Sequence, residues 1–162
     1  MNETNVGLGE QAISRDPGEI LVAYGLGSCI GVAMTDPVAR LSGLLHAVLP
    51  QAHGKTESDG SNASKYVESG IERLVAALVR EGANRTRLAV RIVGGANMLT
   101  SGVTRSFDIG TRNIEAAKTT LSRLNLPISA SEVGGNTGRT VRVYVANGRV
   151  TVRVIGESER EI

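Results

Sequence analysis

The sequence predicts a mixed α/β or α+β domain, and three observations carry that expectation. Near the C-terminus, TVRVYV-ANG-RVTVRV alternates apolar and polar residues around Asn147-Gly148, the pattern of a β-hairpin with a tight turn. Two stretches, KYVESGIERLVAALVREG and RNIEAAKTTLSRLN, repeat apolar residues at spacings of three and four, the period of a helix with one buried face. The remaining apolar runs are short, β-prone and bounded by glycine or proline.

Taken in order, ILVAY (20 to 24) reads as a buried strand and CIGVAM (29 to 34) as another, with GLGS as a backbone-permissive connection. Asp36-Pro37 marks a turn, and LSGLLHAVLP (41 to 50) forms a third apolar element closed by Pro50. QAHGKTESDGSNASK (51 to 65) is polar and Gly/Ser-rich, the composition of a long surface loop. In the first helix Val67, Ile71, Leu74, Val75 and Leu78 make the apolar stripe, and Gly82 stands where the helix stops. LAVRIV (88 to 93) is a strand ending at Gly94-Gly95. The second helix carries Ile114, Ala117, Leu121 and Leu124 on one side and is terminated by Asn125 and Pro127. A two-residue loop in the final hairpin pairs Val145 with Val150, Val143 with Val152 and Val141 with Val154, so that six valines share one buried face and Arg142, Tyr144 and Arg153 the other.

Composition narrows the function. A chain of 162 residues is expected to form one domain over 1–162, large enough to bury a core without disulfides. The four aromatic residues, Tyr24, Tyr66, Phe107 and Tyr144, leave few platforms for stacking bases, and the net charge of +2 comes with scattered arginines; no nucleic-acid partner is expected. The longest uncharged run, ILVAYGLGSCIGVAMT, carries three glycines and falls short of the roughly 20 residues of a spanning helix, so no membrane insertion is expected. The polar start MNETNVGLGE lacks the layout of a signal peptide, and a cytoplasmic protein is expected.

The single cysteine, Cys29, and one of two histidines, His46, share one glycine-punctuated stretch. A thiol with a pKa near ~8.5 is mostly protonated at neutral pH, and a neighbouring imidazole activates it by taking the proton. If CIGVAM and LSGLLHAV pair antiparallel about residues 37 and 38, opposed residue numbers sum to about 75 and His46 faces Cys29. Gly25, Gly27 and Ser28 leave the backbone free to aim N–H groups at a developing oxyanion. A buried core thiol beside a buried imidazole is the plainer alternative. Zinc ligation by Cys29, His46 and His53 lacks any paired ligand spacing, and neither VGGAN nor EVGGNTGR matches a phosphate-cradling pattern; no metal and no cofactor are expected. The glycine pairs are expected at sharp turns at strand ends.

LGSCIGVAMTDP followed by GLLHAVLP, with KYVE, VGGANML, IGTRNIE and EVGGNTGR in order, resembles the chemoreceptor glutamine deamidases of the CheD family over nearly the whole chain. The resemblance implies a layered α/β/β fold with mixed sheets, similar to the catalytic domains of certain deamidating toxins. It implies Cys29 as nucleophile and His46 as general base, acting on glutamine side chains of methyl-accepting chemotaxis receptors, and a CheC-type phosphatase as regulatory partner. Gly27, Ser28 and Asn97 are expected near the substrate site; Asn97 is a candidate donor to the carboxamide oxygen, with a turn-stabilising asparagine as the commoner alternative. Many members carry a threonine where this chain has Ala23, so the backbone carbonyl of Ala23 or a neighbour is expected to hold the imidazole. On this account Cys29 alkylates well below pH 8. The competing function is a non-catalytic binding module that regulates the phosphatase.

Overall fold

The computed structural model describes residues 1–51, 60–97 and 108–162. These form β1 (Asn2–Asn5), β2 (Glu10–Ser14), β3 (Glu19–Leu26), β4 (Ile30–Asp36), β5 (Leu41–Ala47), α1 (Val67–Arg80), β6 (Ala89–Gly94), α2 (Ile109–Arg123), β7 (Ile128–Val133), β8 (Arg139–Tyr144), β9 (Arg149–Val154) and β10 (Arg160–Glu161). Short 3-10 turns at Gly60–Lys65 and Arg85–Arg87 lead into α1 and β6.

Two mixed five-stranded sheets result. The first has the order β1-β3-β8-β9-β10 and the second β2-β5-β4-β6-β7. One parallel pair occurs in each, β1 with β3 and β6 with β7. Ile30, Val32 and Met34 of β4 pack with the α1 stripe Val67, Ile71, Leu74, Val75 and Leu78 and with Ala117 and Leu121 of α2. Ala33 and Cys29 project the other way, onto Leu21, Leu26, Val141, Val143, Val150 and Val152 of the first sheet. The layers are therefore helices, second sheet, first sheet: the α/β/β arrangement expected from the resemblance. Every residue of β4 and β5 is buried, as strands covered on both faces must be, and hence their near-continuous apolar sequence.

Both hairpin registers expected from the sequence are displaced by two residues. In β4–β5, Ile30 opposes Ala47 and Gly31 opposes His46, so Cys29 is not directly across from His46. In β8–β9, Val143 opposes Val150 and Val141 opposes Val152, and the turn spans Val145 to Gly148 rather than two residues. Gly148 N–H donates to the Tyr144 carbonyl at 2.8 Å to close that wider turn. A shift of two preserves the pleat, so the valine face is the expected one, with Val154 half-buried at its end.

The polar N-terminus holds two strands that its composition does not announce. Both β1 and β2 lie at sheet edges, where one solvent-facing side favours polar residues. Strands β7 and β10, also absent from the sequence reading, are likewise edges. Helix α2 begins three residues earlier than its apolar period, at Ile109. The stretch expected to be loop over 51 to 65 ends in the 3-10 turn, and His53 lies outside the described residues.

Candidate active site

The segment GLGSC carries the chain from the first sheet to the second. A bulge between Ala23 and Leu26, with Gly25 at φ 64, turns β3 out of its ladder with β8. Cys29 then precedes β4 by one residue. Three successive carbonyls in the crossing are held from behind. Gly27 accepts from Ala96 N–H at 2.8 Å, Ser28 from Asn113 Nδ2 at 2.8 Å, and Cys29 from Gly95 N–H at 2.8 Å. Among the described residues the N–H groups of Gly27 and Ser28 donate to no backbone carbonyl, and that of Cys29 is directed to its own sulfur. Gly94 makes the clamp possible: at φ 111, a Cβ there would stand 2.3 Å from the Cys29 carbonyl oxygen. The glycine pair Gly94-Gly95 thus ends β6 against the cysteine loop, as a strand-end turn at the rim.

Cys29 and His46 share a face of the second sheet. Gly31 opposes His46 and Ala33 opposes Leu44, and Ala33, Leu44 and Cys29 all pack into the inter-sheet core. Cys29, two residues before Gly31 and one before β4 begins, therefore continues the side of the sheet that carries His46. Leu26 and Val141 cover Gly31 from the first sheet: a Cβ there would meet Leu26 Cδ1 at 3.1 Å and Val141 Cγ1 at 3.3 Å. Both residues are nearly enclosed, Cys29 being 8% and His46 3% exposed.

Val6 holds the imidazole. His46 Nδ1 lies 2.9 Å from the Val6 carbonyl oxygen, which can only accept, so Nδ1 carries the proton and Nε2 the lone pair. Nε2 is buried and has no hydrogen-bond partner among the described residues. Val6 is fixed in turn by its N–H to Val22 O at 2.7 Å, and Gly9 N–H donates to the His46 carbonyl at 2.8 Å. The role expected of the Ala23 carbonyl is thus filled by Val6, one strand over. Ala23 stays in the β3–β8 ladder opposite Val141, whereas the chain leaving β1 reaches the imidazole between the two sheets.

The electrostatics describe a neutral pair at rest. Burial pushes the Cys29 thiol up from its ordinary value. Burial pushes the His46 imidazole down, against the opposing effects of the Val6 carbonyl and the Glu10 charge. A thiol so placed does not ionise well below pH 8 by itself, which corrects the sequence expectation: enclosure between two sheets disfavours the anion, and no imidazolium is hydrogen-bonded to it. A neutral thiol and a neutral imidazole with a free Nε2 are nonetheless the correct protonation states for a proton to pass from sulfur to nitrogen.

Asn97 stands beside this loop, its N–H donating to Gly135 O at 2.9 Å and its Nδ2 to Thr111 Oγ1 at 2.8 Å on the first turn of α2. One of its two amide hydrogens thus goes to Thr111, the turn-stabilising arrangement that the sequence offered beside donation to substrate, and Oδ1 is buried without a partner among the described residues. Two further groups escaped the sequence. Arg139, the last residue of EVGGNTGR, is buried with Nη1 3.4 Å from the Gly94 carbonyl and Nη2 3.6 Å from Glu132. Asn113 is fully buried and donates to both Ser28 O and Val48 O. The available signal for Asn113 was a polar residue on the apolar stripe with Ala117 and Leu121; a backbone carbonyl such as that of Val6 has no sequence signature. Among the described residues no helix is long and apolar enough to cross a membrane.

Residues 48–154 match the model of the family described as CheD chemotactic sensory transduction. Relatives match over nearly the full length. The probable chemoreceptor glutamine deamidase CheD of Symbiobacterium thermophilum is 42% identical, over 97% of this chain and 95% of that one. Its namesake in Caldanaerobacter subterraneus subsp. tengcongensis is 40% identical, over 97% and 96%. The chemoreceptor glutamine deamidase CheD of Thermotoga maritima is 38% identical, over 96% and 94%.

Proposed function

This chain belongs to the CheD family, and on that premise we propose that it is a chemoreceptor glutamine deamidase, one catalytic domain over 1–162 that converts glutamine side chains of methyl-accepting chemotaxis receptors to glutamate. Cys29 is the nucleophile and His46 its base. The free Nε2 of His46 takes the thiol proton as sulfur attacks the carboxamide carbon. The N–H groups of Gly27, Ser28 and Cys29, whose carbonyls are tied back, meet the oxygen as it gains charge. The imidazolium, steadied by the Val6 carbonyl, returns its proton to the departing nitrogen. The C–N bond breaks, ammonia leaves, and a thioester to Cys29 remains. Water, deprotonated by the same Nε2, then cleaves the thioester to glutamate and restores the thiol. Each turnover gives the receptor helix one negative charge. A CheC-type phosphatase is the regulatory partner, and the cytoplasm, where receptor signalling helices lie, is the location.

One observation supports this reading above the others: His46 is locked by Val6 into the tautomer with a free Nε2, on the sheet face that carries Cys29. The test is ammonia release from a purified receptor cytoplasmic fragment. Wild-type protein is expected to release ammonia and the Cys29→Ala variant none. Tight binding of the fragment without ammonia would favour the regulatory binding module instead.

A further inference from the structure

Asn113 sits in the second turn of α2, fully buried among Gly110, Ala117, Thr120 and Leu121. Its Nδ2 donates to the Ser28 carbonyl at 2.8 Å and to the Val48 carbonyl at 2.9 Å. Two acceptors facing one amide admit only its NH2 end, so the orientation of the side chain is fixed by chemistry. Ser28 immediately precedes Cys29, and Val48 lies two residues beyond His46. Neither carbonyl belongs to a strand: Ser28 is in the crossing between β3 and β4, and Val48 follows the end of β5. One side chain from the helix layer therefore joins the cysteine loop to the tail of the histidine strand, at the level where the sheet ladder between them has ended. Its Oδ1 is buried and has no partner among the described residues. A leucine would fill the same stripe without that orphan but would leave the Ser28 and Val48 carbonyls without this donor, so the amide is there for the tie between them.

We infer that Asn113 is a positioning residue for the deamidation: its side-chain amide ties the Cys29 loop to the end of the His46 strand and so sets the separation across which the proton passes. The inference rests on the deamidase reading of the site, and a test of Asn113 must be separable from it. Alkylation of Cys29 by iodoacetamide needs no receptor substrate and reports the same sulfur-to-nitrogen transfer.

The experiment is a double-mutant cycle on that rate, with kcat and KM for ammonia release measured alongside. Asn113→Ala removes both bonds; Asn113→Asp keeps shape and volume but presents two acceptors to two carbonyls. Both variants are expected to slow alkylation at pH 8 and to lower kcat by about a hundredfold, as an ångström-scale misplacement does, with KM nearly unchanged. In a His46→Ala background neither is expected to slow alkylation further, because the transfer it serves is already gone. Folded variants with wild-type alkylation and kcat would overturn the inference, as would an effect undiminished in the His46→Ala background. Failure of both variants to fold would overturn it too, by making Asn113 a core element. If wild-type protein releases no ammonia while the alkylation cycle behaves as stated, it is the deamidase reading that fails and the positioning role that stands.

Discussion

His46 donates its Nδ1 proton to the carbonyl of Val6, so a residue from the polar N-terminal segment decides which nitrogen of the candidate base is free. Because the acceptor is a main-chain atom, Ala23 needs no hydroxyl for the histidine to be held. Nitrogen-15 spectra at neutral pH are expected to show His46 as the tautomer protonated at Nδ1. Protonation at Nε2 would contradict the arrangement.

The same burial that protects this bond holds the imidazole below its usual value near ~6.5. A base must be neutral to act, and a depressed pKa keeps it neutral as pH falls through that value. The acid limb of kcat/KM is therefore expected below about pH 6.5. A limb above that value would show an imidazolium favoured by its surroundings and would contradict the account.

Cys29 behaves oppositely. Enclosure raises its pKa, so in a His46→Ala background, where no base assists, the iodoacetamide rate is expected to climb through a midpoint above the ordinary ~8.5. A midpoint below pH 8 would mean that a cation stabilises the thiolate.

Gly94 is the closest packing point behind the cysteine. In Gly94→Ala a methyl group would lie 2.3 Å from the Cys29 carbonyl at a φ of 111, so the loop must shift. A loss of about 2 kcal/mol in urea unfolding is expected, together with a fall in ammonia release. Wild-type stability and turnover would show that the clamp does not matter.

Asp36 anchors the far end of the β4–β5 hairpin. Its carboxylate accepts from the N–H groups of Val38, Ala39 and Asn84 and from Arg87 Nε. Burial alone would raise its pKa, but the Arg87 bond and the three backbone donors hold it far below the usual carboxylate range. A depressed carboxylate contributes stability that is present above the unfolded value of about 4 and is lost as pH falls towards the folded one. Asp36→Asn is expected to cost about 2 kcal/mol at pH 7. The difference from wild type should shrink steadily below pH 4, and a constant difference would contradict the assignment.

What was legible in the sequence, and what was not, divides along physical lines. Pleat parity followed from alternation in the C-terminal hairpin and from the turn at Asp36-Pro37 in the first, so the valine face and the common face of Cys29 and His46 were readable. Register was not, because it depends on turn length: Val145 joined the turn before β9 instead of pairing with Val150. The α1 stripe was readable because five apolar residues repeat with the helical period. Edge strands β1 and β2 were not, since exposure on one side removes their apolar signal. Of the site, the cysteine and histidine are chemically distinctive, whereas the Val6 carbonyl is a group every residue owns. Asn113 was visible only as a polar interruption of a helix face, and its two acceptors come from elements 85 and 65 residues away.

Acid-quenched turnover of a receptor cytoplasmic fragment, followed by peptide mapping of the protein, tests the paired roles of Cys29 and His46 most directly. The account predicts a glutamyl thioester on Cys29 in wild-type protein, and neither adduct nor product with Cys29→Ala. Undiminished conversion of glutamine to glutamate by the Cys29→Ala protein would contradict it.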